Sequence, residues 1–401
     1  MVNEYFDLVT YAGSVYYYIF EFANFSVLAL LLLIVYKLDL INVNSLIAWF
    51  VVFSTPLFLN YLLFSPGLFG DQFQYAREVM SLKVSGESIS NIGSFFGIDS
   101  TNAVTFSARI LSFAPLPNFM TVTSLAFANK LILFATFLWF KKFFRNENEV
   151  LLYFLIPSLV LYSSLSLRDT LIIVLSIFFL INIIRGKILL PTFLLYPLFI
   201  LKIQMFAVLA IYFLGHLIFQ AHRSKPLFSL FICIFIIGGF ILEDYILSTI
   251  NLYRIAFIAE DFVAFDGSIS YDAWNLYGAE NIDSLELNSM FHAIYEALIK
   301  LPVLLLIPLP WNWSNIFYPI QALESFMLIY LYTRSSIQNN LYKNNEFILL
   351  TFVLIVGLSI YALIMSNEGT FVRYRFTLFY PFLLALFYIS RQNDREHKIN
   401  T

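Results

Sequence analysis

Charge is scarce in this sequence. Only 12% of its 401 residues are Asp, Glu, Lys or Arg, against about 25% in an ordinary soluble domain. Twenty-three basic and 26 acidic side chains are too few to cover a water-soluble body of this length. Soluble enzymes, disordered chains and coiled coils are excluded together. Cysteine is almost missing. Cys233 stands alone in an apolar run, so an intramolecular disulfide, a cysteine metal site and thiol redox chemistry drop out. The histidines His216, His222, His292 and His397 are scattered, and no pair has ligand spacing. Neither a metal nor a cofactor is therefore expected. The N-terminus carries Glu4 and Asp7 and lacks a basic n-region, so no cleavable signal peptide is expected. No internal repeat of the transporter kind is visible.

What is present is hydrophobic: 60% of the residues are apolar and 19% aromatic. A membrane-spanning helix needs roughly 20 mostly apolar residues. On that basis the chain reads as an all-α polytopic membrane protein of about eleven transmembrane helices, forming one integral domain over 1–401. The expected spans are 22–38, 45–64, 121–140, 150–166, 170–185, 188–201, 204–220, 227–243, 314–334, 346–366 and 376–391. Residues 5–20 read as an interfacial helix or a twelfth span. Basic clusters at Lys141, Lys142 and Arg145, at Arg185 and Lys187, at Arg223 and Lys225, and at Arg391, Arg395 and Lys398 fall on one side of that arrangement. The positive-inside rule then places the N-terminus outside and the C-terminus in the cytoplasm of a bacterial inner membrane. Two long outer loops follow, 65–120 and 244–313. The second holds nine acidic residues and one basic residue, Arg254, between Glu243 and Glu286. It ends in Leu301–Pro310, which is too short to span and reads as a re-entrant or interfacial segment before Trp311 and Trp313.

The informative charges are those the positive-inside bias works against. Arg168 and Asp169, Lys202 and Gln204, and Arg373 and Arg375 stand in three separate turns near the outer boundary. Cations held at one depth there suit a phosphate or diphosphate group, which arginine grips through its planar fork of donors. Each also has a plainer reading, as a snorkelling side chain or as a partner of its neighbour. Asp71, Asp169 and Glu368 are the carboxylates nearest to spans and the candidates for a catalytic base. Alternatively, Asp71 caps a helix from Gln72 onward, Asp169 caps the fifth span, and Glu368 pairs with Arg373. Lys130 and Glu324 fall mid-span. They read as a buried structural pair, with an ion pathway as the sharper alternative. His216 reads as structural, and His292 as a minor base candidate.

Four stretches carry a resemblance: Ser163–Asp169, Leu201–Gln204, Pro308–Trp311 and Glu368–Arg375. With the general layout, they resemble bacterial polysaccharide repeat-unit polymerases, the O-antigen polymerase (Wzy) family. The first outer loop with Asp71 is similar to that of GT-C glycosyltransferases. The resemblance implies a glycosyltransferase that joins undecaprenyl-diphosphate-linked oligosaccharides at the periplasmic face without a metal. Its partners would be the lipid bilayer and, optionally, a chain-length regulator protein, with no nucleic acid. Arg168, Arg373, Arg375 and Lys202 would hold the diphosphate, with Gln204 beside them. Asp71 or Glu368 would take the acceptor proton. The alternatives are a GT-C transferase using a polyprenyl-phosphate sugar, an O-antigen ligase, and a flippase of lipid-linked oligosaccharide. The acidic second loop departs from an arginine-rich pattern, which is why the charge work is assigned to the turns.

Overall fold

The structure is a computed structural model. It describes residues 15–59, 71–85, 102–119, 121–222, 230, 233–234, 237–264, 286–308, 317–338, 341, 344–364 and 368–400. Residues 5–14 of the expected interfacial segment 5–20, residues 227–229, 231–232 and 235–236 of the span 227–243, residues 265–285 of the acidic stretch and both tryptophans after Pro310 lie outside the described residues.

The described chain is helical. In order the helices are α1 (Val15–Lys37), α2 (Val43–Phe58), α3 (Asp71–Ser85), α4 (Asn102–Ser112), α5 (Ser124–Phe140), α6 (Glu147–Phe154), α7 (Pro157–Ser163), α8 (Asp169–Ile184), α9 (Leu189–Leu201), α10 (Ile203–His222), α11 (Glu243–Ala264), α12 (Met290–Leu306), α13 (Phe317–Gln338), α14 (Asn345–Ile364) and α15 (Glu368–Asn400). They fall into two compact units, 1–179 with 189–203, and 180–188 with 204–401.

Eleven spans are not upheld. Among the described residues four helices are long and apolar enough to cross a membrane: Tyr18–Lys37, Ser124–Phe143, Asn345–Ile364 and Val372–Gln392. The physical reasons differ from span to span. The expected span 150–166 is two short helices, because Pro157 has no N–H to give and opens α7 instead of continuing α6. Helix α2 has 16 residues and α9 has 13. At 1.5 Å per residue both fall short of a ~30 Å hydrocarbon core. Helix α13 is long enough, but its 22 residues include Glu324 and Arg334. The multi-pass orientation built on eleven spans falls with them. So does repeat-unit polymerisation at a periplasmic face, which needs that polytopic architecture, and the GT-C and flippase alternatives lose the eleven-span layout they were read from.

In the first unit the core is aromatic. Trp49 on α2 is buried against Phe134 and Phe137 of α5, at ring distances of 5.0 and 5.5 Å. Phe154 of α6 closes on Phe137 at 5.4 Å. Edge-on contacts of this kind add about 0.5–1.5 kcal/mol each beyond area burial. The turn between α1 and α2 is tied to α6. The Asn42 N–H donates to Glu147 (3.1 Å), and Lys141 bridges the Leu40 carbonyl and Glu147.

Beside that core, some polar side chains of this unit are buried and some large apolar ones are exposed. Glu21, Asn24, Asn129 and Lys130 are buried, whereas Phe22, Leu30, Ile47 and Val51 are exposed. The second unit presents α12 in the same way, with Phe291, Tyr295 and Leu298 outward.

The second unit packs α12 and α15 on α14, with α13 on α15. Gly357 lets these helices close. A Cβ there would stand 2.9 Å from Leu378 Cδ2 and 3.0 Å from Val208 Cγ2. The leucine end can swing away, but the β-branched Val208 cannot. Gly357→Val is therefore expected to cost about 1–3 kcal/mol by overpacking, read as a lower unfolding midpoint in detergent.

Candidate functional site

The site grows from a break in the helices of the first unit. Helix α7 stops at Ser163 because a run of serines offers its backbone other partners. Ser163 Oγ donates to the Leu159 carbonyl at 2.5 Å, and Ser164 Oγ to the Val160 carbonyl at 2.5 Å. Residues 164–168 are then non-helical, and 164–167 are buried. Buried backbone of this kind must find its hydrogen bonds elsewhere. It finds them on three other helices. Asn129 Nδ2 donates to the carbonyls of both Leu165 and Leu167, at 2.9 Å each. Lys130 Nζ donates to the Val160 carbonyl and to Ser163 Oγ, at 2.8 Å each. Thr55 and Ser164 share a hydroxyl hydrogen bond of 2.6 Å. The Ser166 N–H donates to Gln72 Oε1 at 3.1 Å, and its hydroxyl to the Val122 carbonyl.

This clamp sets out three of the residues singled out from the sequence. Asp169 is the first residue of α8 and is buried. Arg168, just before it, is half-buried, and its guanidinium makes no hydrogen bond or ion pair with any described residue. Asp71 opens α3, is exposed, and adjoins Gln72, whose amide ties that end of α3 to the loop. Beyond Arg168 lies the first turn of a 16-residue helix. Its leading N–H groups lack helical partners and carry the positive end of the helix dipole. Buried Thr170 Oγ1 at the same turn also has no hydrogen-bond partner among the described residues. A guanidinium, a helix N-terminus and an unused hydroxyl stand within three residues of one another, and together they are donors suited to an anion.

The other expected members lie elsewhere. Lys202 is buried just after α9, also in the first unit. Gln204, Glu368, Arg373 and Arg375 belong to the second unit. Glu368 opens α15, Gln204 is half-exposed on α10, and Arg373 stands 5.9 Å from the ring of Tyr374. Arg375 is 2% exposed. Its Nη1 donates to the carbonyls of Leu304, Leu305 and Ile307, at 3.0, 3.1 and 2.8 Å, and so caps the end of α12.

Sequence reasoning passed over Asn129 and Gln72, which hold the loop. The signal for the first was a buried-type amide beside Lys130 in an otherwise apolar run. It also passed over a charge cluster in the second unit. Glu296 Oε2 accepts from Arg254 Nη1 (3.1 Å) and from Lys300 Nζ (2.5 Å), and His292 Nε2 lies 3.5 Å from the other oxygen. The spacing of His292, Glu296 and Lys300, four apart on one helix face, was the readable sign. Burial drives the Lys300 ammonium down to about 8, against the pull of Glu296. Between about 8 and the unfolded value of 10.5, the unfolded chain holds the proton that the folded one has lost. This group's contribution to stability therefore rises with pH across that window. Lys300→Met should flatten the rise in a series of unfolding midpoints, and an unchanged slope would reject the assignment. His216 is buried in the second unit, with Nδ1 2.8 Å and 3.0 Å from the two Glu346 oxygens, and Tyr212 donates to the same carboxylate.

No known protein family matches the chain, and no curated protein or solved structure matches it. The resemblance to repeat-unit polymerases and GT-C transferases is therefore not upheld.

Proposed function

We propose that the chain binds a phosphate-bearing lipid at the loop before α8 and transfers a glycosyl group from it. The half-buried Arg168 guanidinium, with no partner among the described residues, carries this reading. A buried or half-buried arginine is normally paired. One held ready at a helix N-terminus, by a loop with side-chain hydrogen bonds on every part, suits an incoming anion. The outward apolar residues of α1, α2 and α12 support a lipid bilayer as the surrounding medium. Bilayer and ligand are then compatible, because the ligand's tail has somewhere to lie.

In the reaction, the acceptor hydroxyl loses its proton to Asp71 as its oxygen bonds the anomeric carbon. The bond from that carbon to the phosphate oxygen breaks, and its electron pair leaves on the phosphate. Arg168 and the α8 N-terminus hold the charge that develops there. An undecaprenyl-diphosphate-linked oligosaccharide is the first ligand to try.

The test uses the full chain in lipid nanodiscs. Binding of undecaprenyl diphosphate is compared with binding of undecaprenol, and sugar transfer is followed by product mass. The diphosphate is expected to bind and the alcohol to bind far more weakly. Asp71→Asn should keep binding and lose turnover by roughly 10²–10⁴-fold. Equal binding of the two lipids would reject the phosphate site.

A further inference from the structure

A second polar cluster in the first unit is independent of Arg168. Glu21 lies in the candidate span Tyr18–Lys37 and is 1% exposed. It faces the turn that leads into α5. The hydroxyls of Thr121 and Thr123 both donate to Glu21 Oε1. Ser124 Oγ joins the group through Thr121, whose N–H it also accepts at 3.2 Å. One turn along α1, Asn24 and Asn118 exchange two hydrogen bonds, at 2.9 and 3.1 Å, and fix α1 against this turn. Thr121, Thr123 and Ser124 are all more than nine-tenths buried. Glu21 Oε2 is buried too and has no hydrogen-bond partner among the described residues.

A carboxylate at this depth is costly unless its charge is answered. The two hydroxyls and the N-terminus of α5 favour the ionised form. No lysine, arginine or histidine is paired with Glu21 among the described residues. One negative charge, hard oxygen donors on three hydroxyls and an open carboxylate oxygen match a single positive charge. The hydrogens of Thr121 and Thr123 serve Oε1 and that of Ser124 serves Thr121, which turns oxygen lone pairs rather than hydrogens toward a cation. A divalent ion would leave an excess buried charge.

We propose that Glu21, Thr121, Thr123 and Ser124 form a binding site for a hard monovalent cation of the sodium type. The cation seats on Oε2 and the hydroxyl oxygens, and it locks α1 to the start of α5.

The experiment follows thermal unfolding of the full chain in nanodiscs. Sodium chloride is titrated against choline chloride at constant ionic strength. A saturable rise of the midpoint with sodium is expected, absent in choline. Glu21→Gln, close in size and neutral, should abolish the rise, and Thr123→Val should weaken the apparent sodium affinity about tenfold. The same midpoint in both salts overturns the site, as does a sodium response that survives in Glu21→Gln. A midpoint that rises only with added acid, indifferent to the cation, also overturns it and makes Glu21 a protonated carboxyl. If Glu21→Gln does not fold, carbodiimide labelling of Glu21 in the wild-type chain decides. Labelling slowed several-fold by sodium supports the site, and labelling indifferent to sodium rejects it.

Discussion

Replacing Arg168 by Ala should lower affinity for a diphosphate lipid by roughly 10–100-fold, the usual worth of a charge-assisted hydrogen bond. The fold should be untouched, because the guanidinium contacts no described residue by hydrogen bond or ion pair. The loop around it is held by Asn129, Lys130, Gln72 and Thr55, none of which the substitution removes. Arg168→Lys separates charge from geometry. It keeps the cation but not the planar fork, and should recover part of the binding. Undecaprenyl diphosphate binding in nanodiscs gives the affinity, and the unfolding midpoint shows that the protein is intact. A large drop in that midpoint with Arg168→Ala would mean the side chain is structural after all. Asn129→Ala differs from Arg168→Ala in its effect on the fold. It strips two buried carbonyls of their donor, and should lower stability by about 1–3 kcal/mol as well as binding.

Arg375→Ala should be among the most damaging single substitutions in the second unit, at about 3–5 kcal/mol. Three carbonyls at the end of α12 depend on one nitrogen of that side chain. Carbonyls at a helix C-terminus have no helical donors, and buried ones have no water to replace the loss. The substitution also empties the volume of a large, fully buried side chain. Arg375→Lys should recover some of the loss, since an ammonium offers three donors but a shorter reach. Hydrogen exchange is the sharper reading. Amides near the end of α12 should exchange faster in Arg375→Ala while those of α1 and α2 stay protected. Equal exchange in the two regions would show that the cap does not act locally.

Some of this protein was plain in its residues. Few charges and long apolar stretches imply helices that satisfy their own backbone and turn apolar faces outward, and the described chain is helical. Helix starts were legible as well. Asp71 and Asp169 are each the first residue of a helix, where the positive end of the helix dipole favours an acidic side chain. The number of spans was not legible. Hydropathy sums a window and ignores where each backbone group finds its partner. Pro157 and the serine run Ser163–Ser166 interrupt a segment whose composition reads as continuous. The uses of the charges were hidden for the same reason. Arg168 and Arg375 look alike in the sequence, as outer cations beside spans. Only the folded chain separates them, because the carbonyls at the end of α12 take up Arg375, while the Arg168 guanidinium makes no hydrogen bond or ion pair with a described residue. Composition and local chemistry determined that the chain is helical, apolar outside, and where several helices begin. Tertiary structure decided which polar groups are consumed in holding it together and which remain for a ligand, because hydrogen bonds between residues far apart in sequence exist only once the helices have packed.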